Sequence, residues 1–459
     1  MKKLFSLLLA ATMTFSLTLP ALADHYTYSE PEKSTMMPRS TPETHGMSSQ
    51  YILDLLDAFD YADAEVHNIL MAIDGEVVFE GHYAPYTALD PHIMFSGTKI
   101  FTNAAVGVAV TEGYLHLDDY VYDVLKDYVT QDVSELQSKV QLKHLLTMTS
   151  GVDRFMSGSE LRPLTTSWIE HILTEPIVHE PGTYYLYSSG NTMLSSAMVT
   201  VATGKTCLDL LNTTGFCEEL GIKNFTWDMS PDGFNAGHGG IKITAEDLAK
   251  VGQLYMNGGV WNGKQILSKE WCDLAIGYEK TVENQGDYAY HWTAYEDGLY
   301  YTATGSYGQT LAICPKLNMV IAIQAGTKQN IGELLYQNIF KPYGDALDAG
   351  TVPEPDDALS AALAKRAENL NLMFTTDFTA SPIGELVDDV TFTAAENQYG
   401  ITTLSLDVHD DYIDYTMTDA RGTHTIRNGI WQWLKGETSM TSNYTHHQYQ
   451  YPTERSEER

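Results

Sequence analysis

Residues 91–119 read PHIMFSGTKIFTNAAVGVAVTEGYLHLDD, and within them Ser96-Gly97-Thr98-Lys99 is the one Ser-x-x-Lys of the chain. An apolar helical run, Ile100 to Glu112, follows at once, and Gly113 is placed to end it. Three residues make nearly one helical turn, so the Lys99 amino group shares a face with the Ser96 hydroxyl. A serine hydroxyl attacks poorly unless a base takes its proton. A lysine in an apolar pocket can serve, because desolvation disfavours its charged form. The helix start also offers backbone N–H groups to a developing oxyanion. An N-capping serine followed by a surface lysine satisfies the same tetrapeptide, so its meaning rests on what surrounds it.

Upstream, Ser48-Ser49 can cap a helix with Ile52, Leu55, Leu56 and Phe59 on one face. Asn68 to Ile73 and Glu76 to Glu80 are strand-like and flank the turn Asp74-Gly75, which predicts a hairpin. Downstream, short helices are expected over Leu142–Met148, Trp168–Leu173, Thr192–Ala202 and Thr244–Met256, with Cys207 and Cys217 at opposite ends of one more. Leu311–Cys314 and Met319–Gln324 read as neighbouring strands, and Ile331–Phe340 as a helix. Helices between an early and a late hairpin predict one antiparallel sheet built from both ends of the domain. Beyond it, Ala358–Leu370 reads as a helix and four short alternating segments between Thr391 and Ile426 as a β-meander.

The first residues have the pattern of a secretory leader: Lys2-Lys3, an apolar stretch to Leu19, and Ala21-Leu22-Ala23 as cleavage site. Export is therefore expected, and no cysteine adjoins the cleavage site to carry a lipid anchor. The formal net charge of −33 disfavours nucleic acid and anionic membranes as partners. Four cysteines in 459 residues are too sparse for a disulfide scaffold. There is no Cys-x-x-Cys, His-Glu-x-x-His or glycine-rich phosphate loop, so no metal or other cofactor is expected. Gly-x-Ser-x-Gly is also missing, which disfavours an α/β-hydrolase nucleophile.

Ser96-x-x-Lys99 is followed by Tyr187-Ser188-Ser189 and then by Ala303-Thr304-Gly305-Ser306. That order resembles the three motifs of the serine β-lactamase and penicillin-binding-protein superfamily. The flanks, among them LKHLLTMTSG at 142–151, resemble its class C-like branch of β-lactamases, carboxylesterases, D-amino-acid peptidases and 6-aminohexanoate-dimer hydrolases. The resemblance covers roughly Pro38 to Pro342. It implies an α+β fold: an antiparallel sheet flanked by helices, a helical subdomain, and here a small β-rich C-terminal module. It also implies Ser96 as acyl-forming nucleophile, Lys99 as its activator and Tyr187 as proton shuttle, with the Ser96 and Ser306 N–H groups as oxyanion hole. Ser189, Thr304, Gly305 and Tyr307 would touch substrate. Two positions depart from the pattern: Ser189 stands where Asn is usual, and Ala303 where Lys or His is usual.

These readings predict a leader at 1–23, a lead at 24–43 and a hydrolase domain at 44–342. A linker at 343–357, a β-rich module at 358–435 and a polar, unstructured tail at 436–459 follow. Docking of the module would bury Leu404, Leu406, Trp431 and Trp433. Tyr185, Tyr301, Tyr307 and Trp292 are candidates for cleft walls, with core packing the equal alternative. His238, in its glycine loop, reads as structural, and Arg154 as a salt-bridge partner. The expected activity is acyl transfer from a small ester, amide or peptide to water through Ser96. A lapsed enzyme that binds a wall peptide or partner is the alternative. The oligomeric state is left open.

Overall fold

The alternation in Val66–Ile73 (β1) already contains the architecture: Ile69, Met71 and Ile73 enter one apolar core, Leu70 and Ala72 another. A strand whose two faces are both buried must lie inside a layered sheet. In this computed structural model the described residues are 36–438, except 224, 278–281, 283, 285, 373–382 and 421, together with 451–453. The sequence reading of residues 1–23 as a leader lies outside them.

The main sheet has seven strands: β1, Glu76–His82 (β2), Tyr288–Ala289 (β3), Trp292–Tyr295 (β4), Tyr300–Gly305 (β5), Gln309–Cys314 (β6) and Met319–Ala325 (β7). Their order is β2-β1-β7-β6-β5-β4-β3, with every neighbour antiparallel. Pairing of β1 with β7 joins the two ends of the domain, as expected. Asp74 and Gly75 both take positive φ, as the tight β1–β2 turn requires.

One face carries Ser49–Tyr61 (α1), capped by Ser48, with Ile52, Leu55, Leu56 and Phe59 buried as the periodicity predicts. The other face carries Lys99–Thr111 (α2), Ser189–Thr203 (α3) and Ala245–Met256 (α4). Every residue of α2 from Lys99 to Ala109 is buried. A helix apolar on all sides belongs inside a protein, and α2 lies between the sheet core and the inserted helices.

Several boundaries differ from expectation. Cys207 and Cys217 lie on two helices, Cys207–Thr213 and Phe216–Leu220, because Gly215 at φ 88° breaks the run; both are free and buried. The stretch expected as a linker is helical through Lys341–Ala349, with Pro342 tolerated in the first turn, and only then opens at Gly350. The next helix, Asp357–Glu368 (α5), belongs to the catalytic core and not to the C-terminal module. Leu363 and Leu370 bury in the same core cluster as α1, Leu370 over Gly81 of β2, Arg366 pairs with Asp60, and the Leu372 N–H donates to the Ala84 carbonyl. The lead is also anchored: Arg39 bridges Glu80 and Glu246 at 2.8 Å each.

The module itself is a four-stranded antiparallel meander: Val390–Thr393 (β8), Thr403–Val408 (β9), Tyr412–Asp419 (β10) and Gly422–Gly429 (β11). It does not bury the residues expected to dock it. Trp431 is 43% exposed, and Leu404, Leu406 and Trp433 are half-buried. Lys435 ties its end to buried Asp90 at 2.6 Å. Gly436–Thr438 pairs with Tyr451–Thr453, so that part of the tail is ordered, contrary to expectation.

Candidate active site

Ser96 lies on a single tight turn, Phe95–Thr98, that leads directly into α2. Phe95 takes φ 43°, an uncommon conformation for a side-chain-bearing residue, and so turns the chain just before Ser96. The turn is braced on both sides. Met94 N–H donates to the Ile241 carbonyl at 2.8 Å, and Ile241 N–H donates to Thr98 Oγ1 at 3.1 Å.

Lys99, the first residue of α2, is 2% exposed. Its Nζ donates to Ser96 Oγ at 3.1 Å and to the His238 carbonyl at 3.1 Å. The Tyr187 ring centroid is 5.0 Å from Nζ. Tyr187 precedes α3 in an extended segment held on either side: Leu186 N–H donates to Met148 O and Ser189 N–H to Met156 O, both at 2.9 Å. The Ser96 hydroxyl and Lys99 amine, neighbours in sequence, are thus joined at one place by the distant Tyr187 phenol.

The third motif arrives on β5. At Gly305 a Cβ would lie 2.1 Å from the Met94 carbonyl oxygen. Only a glycine lets the strand end pass this close to the Ser96 turn. Ser306 follows at the cleft wall. Gln309, fully buried, fastens that corner: its Nε2 donates to Ser306 O at 3.2 Å and Ala325 O at 2.5 Å.

A cleft of about 520 Å³ opens here. Ser96, Lys99, Tyr185, Tyr187, Thr304, Gly305 and Ser306 line it, as the sequence reading expects. Two expected substrate residues do not. Ser189 is 4% exposed at the start of α3, turned inward by the helix phase. Tyr307, at φ 62°, swings outside the lining and packs tilted against Phe95 at 5.4 Å. Trp292 is in the core, and Tyr301 packs against that core half-buried. Ala303 is 3% exposed, its methyl in the core below the cleft.

Sequence reasoning missed three contributors. The His238 carbonyl holds Lys99, which no side-chain motif could reveal. The loop that presents it is wedged between α2 and α3: Thr102 Oγ1 donates to Gly237 O at 2.8 Å and Ser196 Oγ to Asn235 O at 2.8 Å. His291 lines the floor, its Nδ1 2.9 Å from the Lys99 carbonyl and its Nε2 3.5 Å from Thr192 Oγ1. Burial, aided by Lys99, pushes its pKa down to about 3, so the ring is neutral. The proton then sits on Nδ1, facing the carbonyl. Asn284, Gly286, Asp287 and Tyr288 form another part of the lining. Asn284 clamps Tyr185, accepting from its N–H at 3.1 Å and donating to its carbonyl at 3.0 Å.

This arrangement can supply a serine nucleophile, a proton path and oxyanion donors. Residues 67–340 match the Beta-lactamase family model. The chain belongs to that family. The 6-aminohexanoate-dimer hydrolase of Paenarthrobacter ureafaciens is 24% identical over 274 residues, 54% of this chain and 69% of the relative. A Bacillus anthracis structure proposed to be a 6-aminohexanoate-dimer hydrolase superposes with a TM-score of 0.57 at 21% identity, covering 68% of this chain and 88% of its own. A family VIII carboxylesterase superposes with a TM-score of 0.52 at 14% identity, covering 66% and 98%. The two structures share the α+β β-lactamase-like fold with this chain, which carries the four-stranded sheet besides.

Proposed function

We propose that this member of the Beta-lactamase family is a serine hydrolase that cleaves a small ester or amide through an acyl-enzyme on Ser96. The observation that carries this reading is the Lys99 Nζ bridging Ser96 Oγ and the His238 carbonyl beneath the Tyr187 ring. Ser96 Oγ bonds to the acyl carbon while its proton passes to the Lys99–Tyr187 pair. Backbone N–H groups of Ser96 and Ser306 receive the negative charge on the carbonyl oxygen. Collapse of the adduct expels the alcohol or amine, which leaves with that proton. Water then attacks the ester, releases the acid and restores Ser96.

One relative is an amide hydrolase by name and one structural match a carboxylesterase, which supports ester and amide substrates. Ala303, at the position where a cation is usual in the family, is buried in the core and offers a β-lactam carboxylate no charge. The N-terminal pattern at 1–23 supports export. Among the described residues no helix is long and apolar enough to cross a membrane. The test compares kcat/KM for simple p-nitrophenyl esters and a chromogenic cephalosporin, with Ser96→Ala as control. Ester turnover that exceeds cephalosporin turnover and vanishes in Ser96→Ala is expected. Higher cephalosporin turnover, or ester turnover surviving in Ser96→Ala, would overturn the reading.

A further inference from the structure

Once the catalytic lysine is set aside, the charge of the cleft is one-sided. Among the described lining residues Lys99 is the sole cation, and it is engaged by Ser96 and His238. Arg162 lies 5.9 Å from the Phe95 ring, outside the lining. A carboxylate on the substrate therefore finds no cationic partner among these residues.

A cation on the substrate finds three. Asp287 lines the mouth and is exposed; its backbone carbonyl is bonded to the Ala294 N–H at 2.7 Å, and its carboxylate forms no ion pair among the described residues. Tyr288, the next residue, packs edge-on to Tyr187 at 5.6 Å and tilted to Tyr185 at 6.0 Å. Burial pushes the Tyr185 phenol up to about 12 and the Tyr288 phenol well above its usual range, so both stay neutral. Neutral aromatic rings beside a carboxylate are the chemistry that holds an alkylammonium. Tyr185 is held from two directions, by the two Asn284 bonds to its main chain and by its ring contact with Tyr288. The negative field of a chain with net charge −33 draws cations in the same sense.

We propose that Asp287, Tyr288 and Tyr185 form a subsite for a positively charged group, so that the preferred substrates are esters or amides bearing an ammonium away from the scissile carbonyl. This inference rests on the acyl-transfer reading at Ser96. The experiment uses three p-nitrophenyl esters of equal acyl length, ending in trimethylammonium, its neutral tert-butyl isostere, or a carboxylate. At low ionic strength the expected kcat/KM order is ammonium, neutral, carboxylate, with the first about 10-fold above the second. The ratio should narrow in 1 M salt. Asp287→Asn should lower the ammonium-to-neutral ratio about 5-fold, and Tyr288→Leu should lower it as well. Turnover with the neutral or carboxylate ester preferred, or a ratio that Asp287→Asn leaves unmoved, overturns the subsite alone. No turnover of any ester and no label on Ser96 overturns the acyl-transfer reading, and the subsite falls with it.

Discussion

Lys99 Nζ donates to the main-chain oxygen of His238 at 3.1 Å, the same distance at which it meets Ser96 Oγ. The lysine is aimed by a loop carbonyl, not by an acidic side chain. The amine is thus oriented by a neutral main-chain acceptor. The consequences fall on the residues that build this contact.

Ser96 should carry the adduct of a fluorophosphonate, located by peptide mass mapping. Lys99→Ala and Tyr187→Phe should each lower kcat by at least about 100-fold. The double variant should lose far less than the product of the two, since both serve one proton path. An adduct on another serine, or multiplicative losses, would refute the shared path.

The loop and the strand corner should matter as much as the motif residues. A Cβ at Gly237 would lie 2.5 Å from the Thr192 carbonyl and 2.7 Å from Ser196 Cβ. Gly237→Ala should therefore displace the His238 carbonyl and cut kcat by about 10-fold or more, with the fold retained by circular dichroism. Gln309→Met keeps the side-chain volume but releases the Ser306 and Ala325 carbonyls. It should lower kcat by a similar factor and KM little, since the loss is in the transition state. Unchanged kcat in either variant would remove that residue from the account.

Stability should decline as pH falls through and below about 6.5. Buried His291 has its pKa lowered from 6.5 to about 3, and that of His238 lies well below 6.5, both first by burial and then by Lys99. The folded rings stay neutral while the unfolded chain takes up protons below 6.5, so the unfolded state gains. The stabilisation is complete above 6.5 and is lost progressively toward pH 3 for His291. Melting temperatures of the parent and His291→Gln between pH 7.5 and 5 check this. The variant should show the shallower decline, and parallel curves would sink the assignment.

The C-terminal meander should be dispensable and α5 should not. A chain ending at residue 372 keeps Leu363 and Leu370 against α1 and should still be labelled at Ser96. One ending at Gly350 loses both side chains, each contributing about 1.5–3 kcal/mol when fully buried. It should melt well below the longer form by calorimetry. Equal melting of the two would show that α5 is merely an appendage, while a folded 372-residue form without labelling would assign the meander to the active site.

Much of the fold was legible where periodicity is strong. The α1 stripe, the β1–β2 turn and the β6–β7 pair follow from spacing, because one-sided burial imposes a period that neighbours cannot mask. Boundaries set by tertiary packing were not legible. Pro342 and Gly344 look like linker residues, yet they sit in a helix whose Tyr343 and Ala346 are buried. Leu363 and Leu370 read as part of the module until they are seen to join the core that holds α1 and β2.

By itself the sequence determined that Ser96 and Lys99 meet, because a three-residue spacing at a helix start constrains geometry locally. It also determined the two hairpins of one antiparallel sheet through alternation and turn residues, and the net negative charge through composition. Only the tertiary structure decided what aims Lys99, since a carbonyl exists at every residue and carries no sequence signature. It also decided that Ser189 and Tyr307 stay outside the cleft while Asp287, Tyr288 and His291 line it. Those five choices depend on helix phase and strand-end backbone angles, which emerge only when segments about 100 and 200 residues apart pack together.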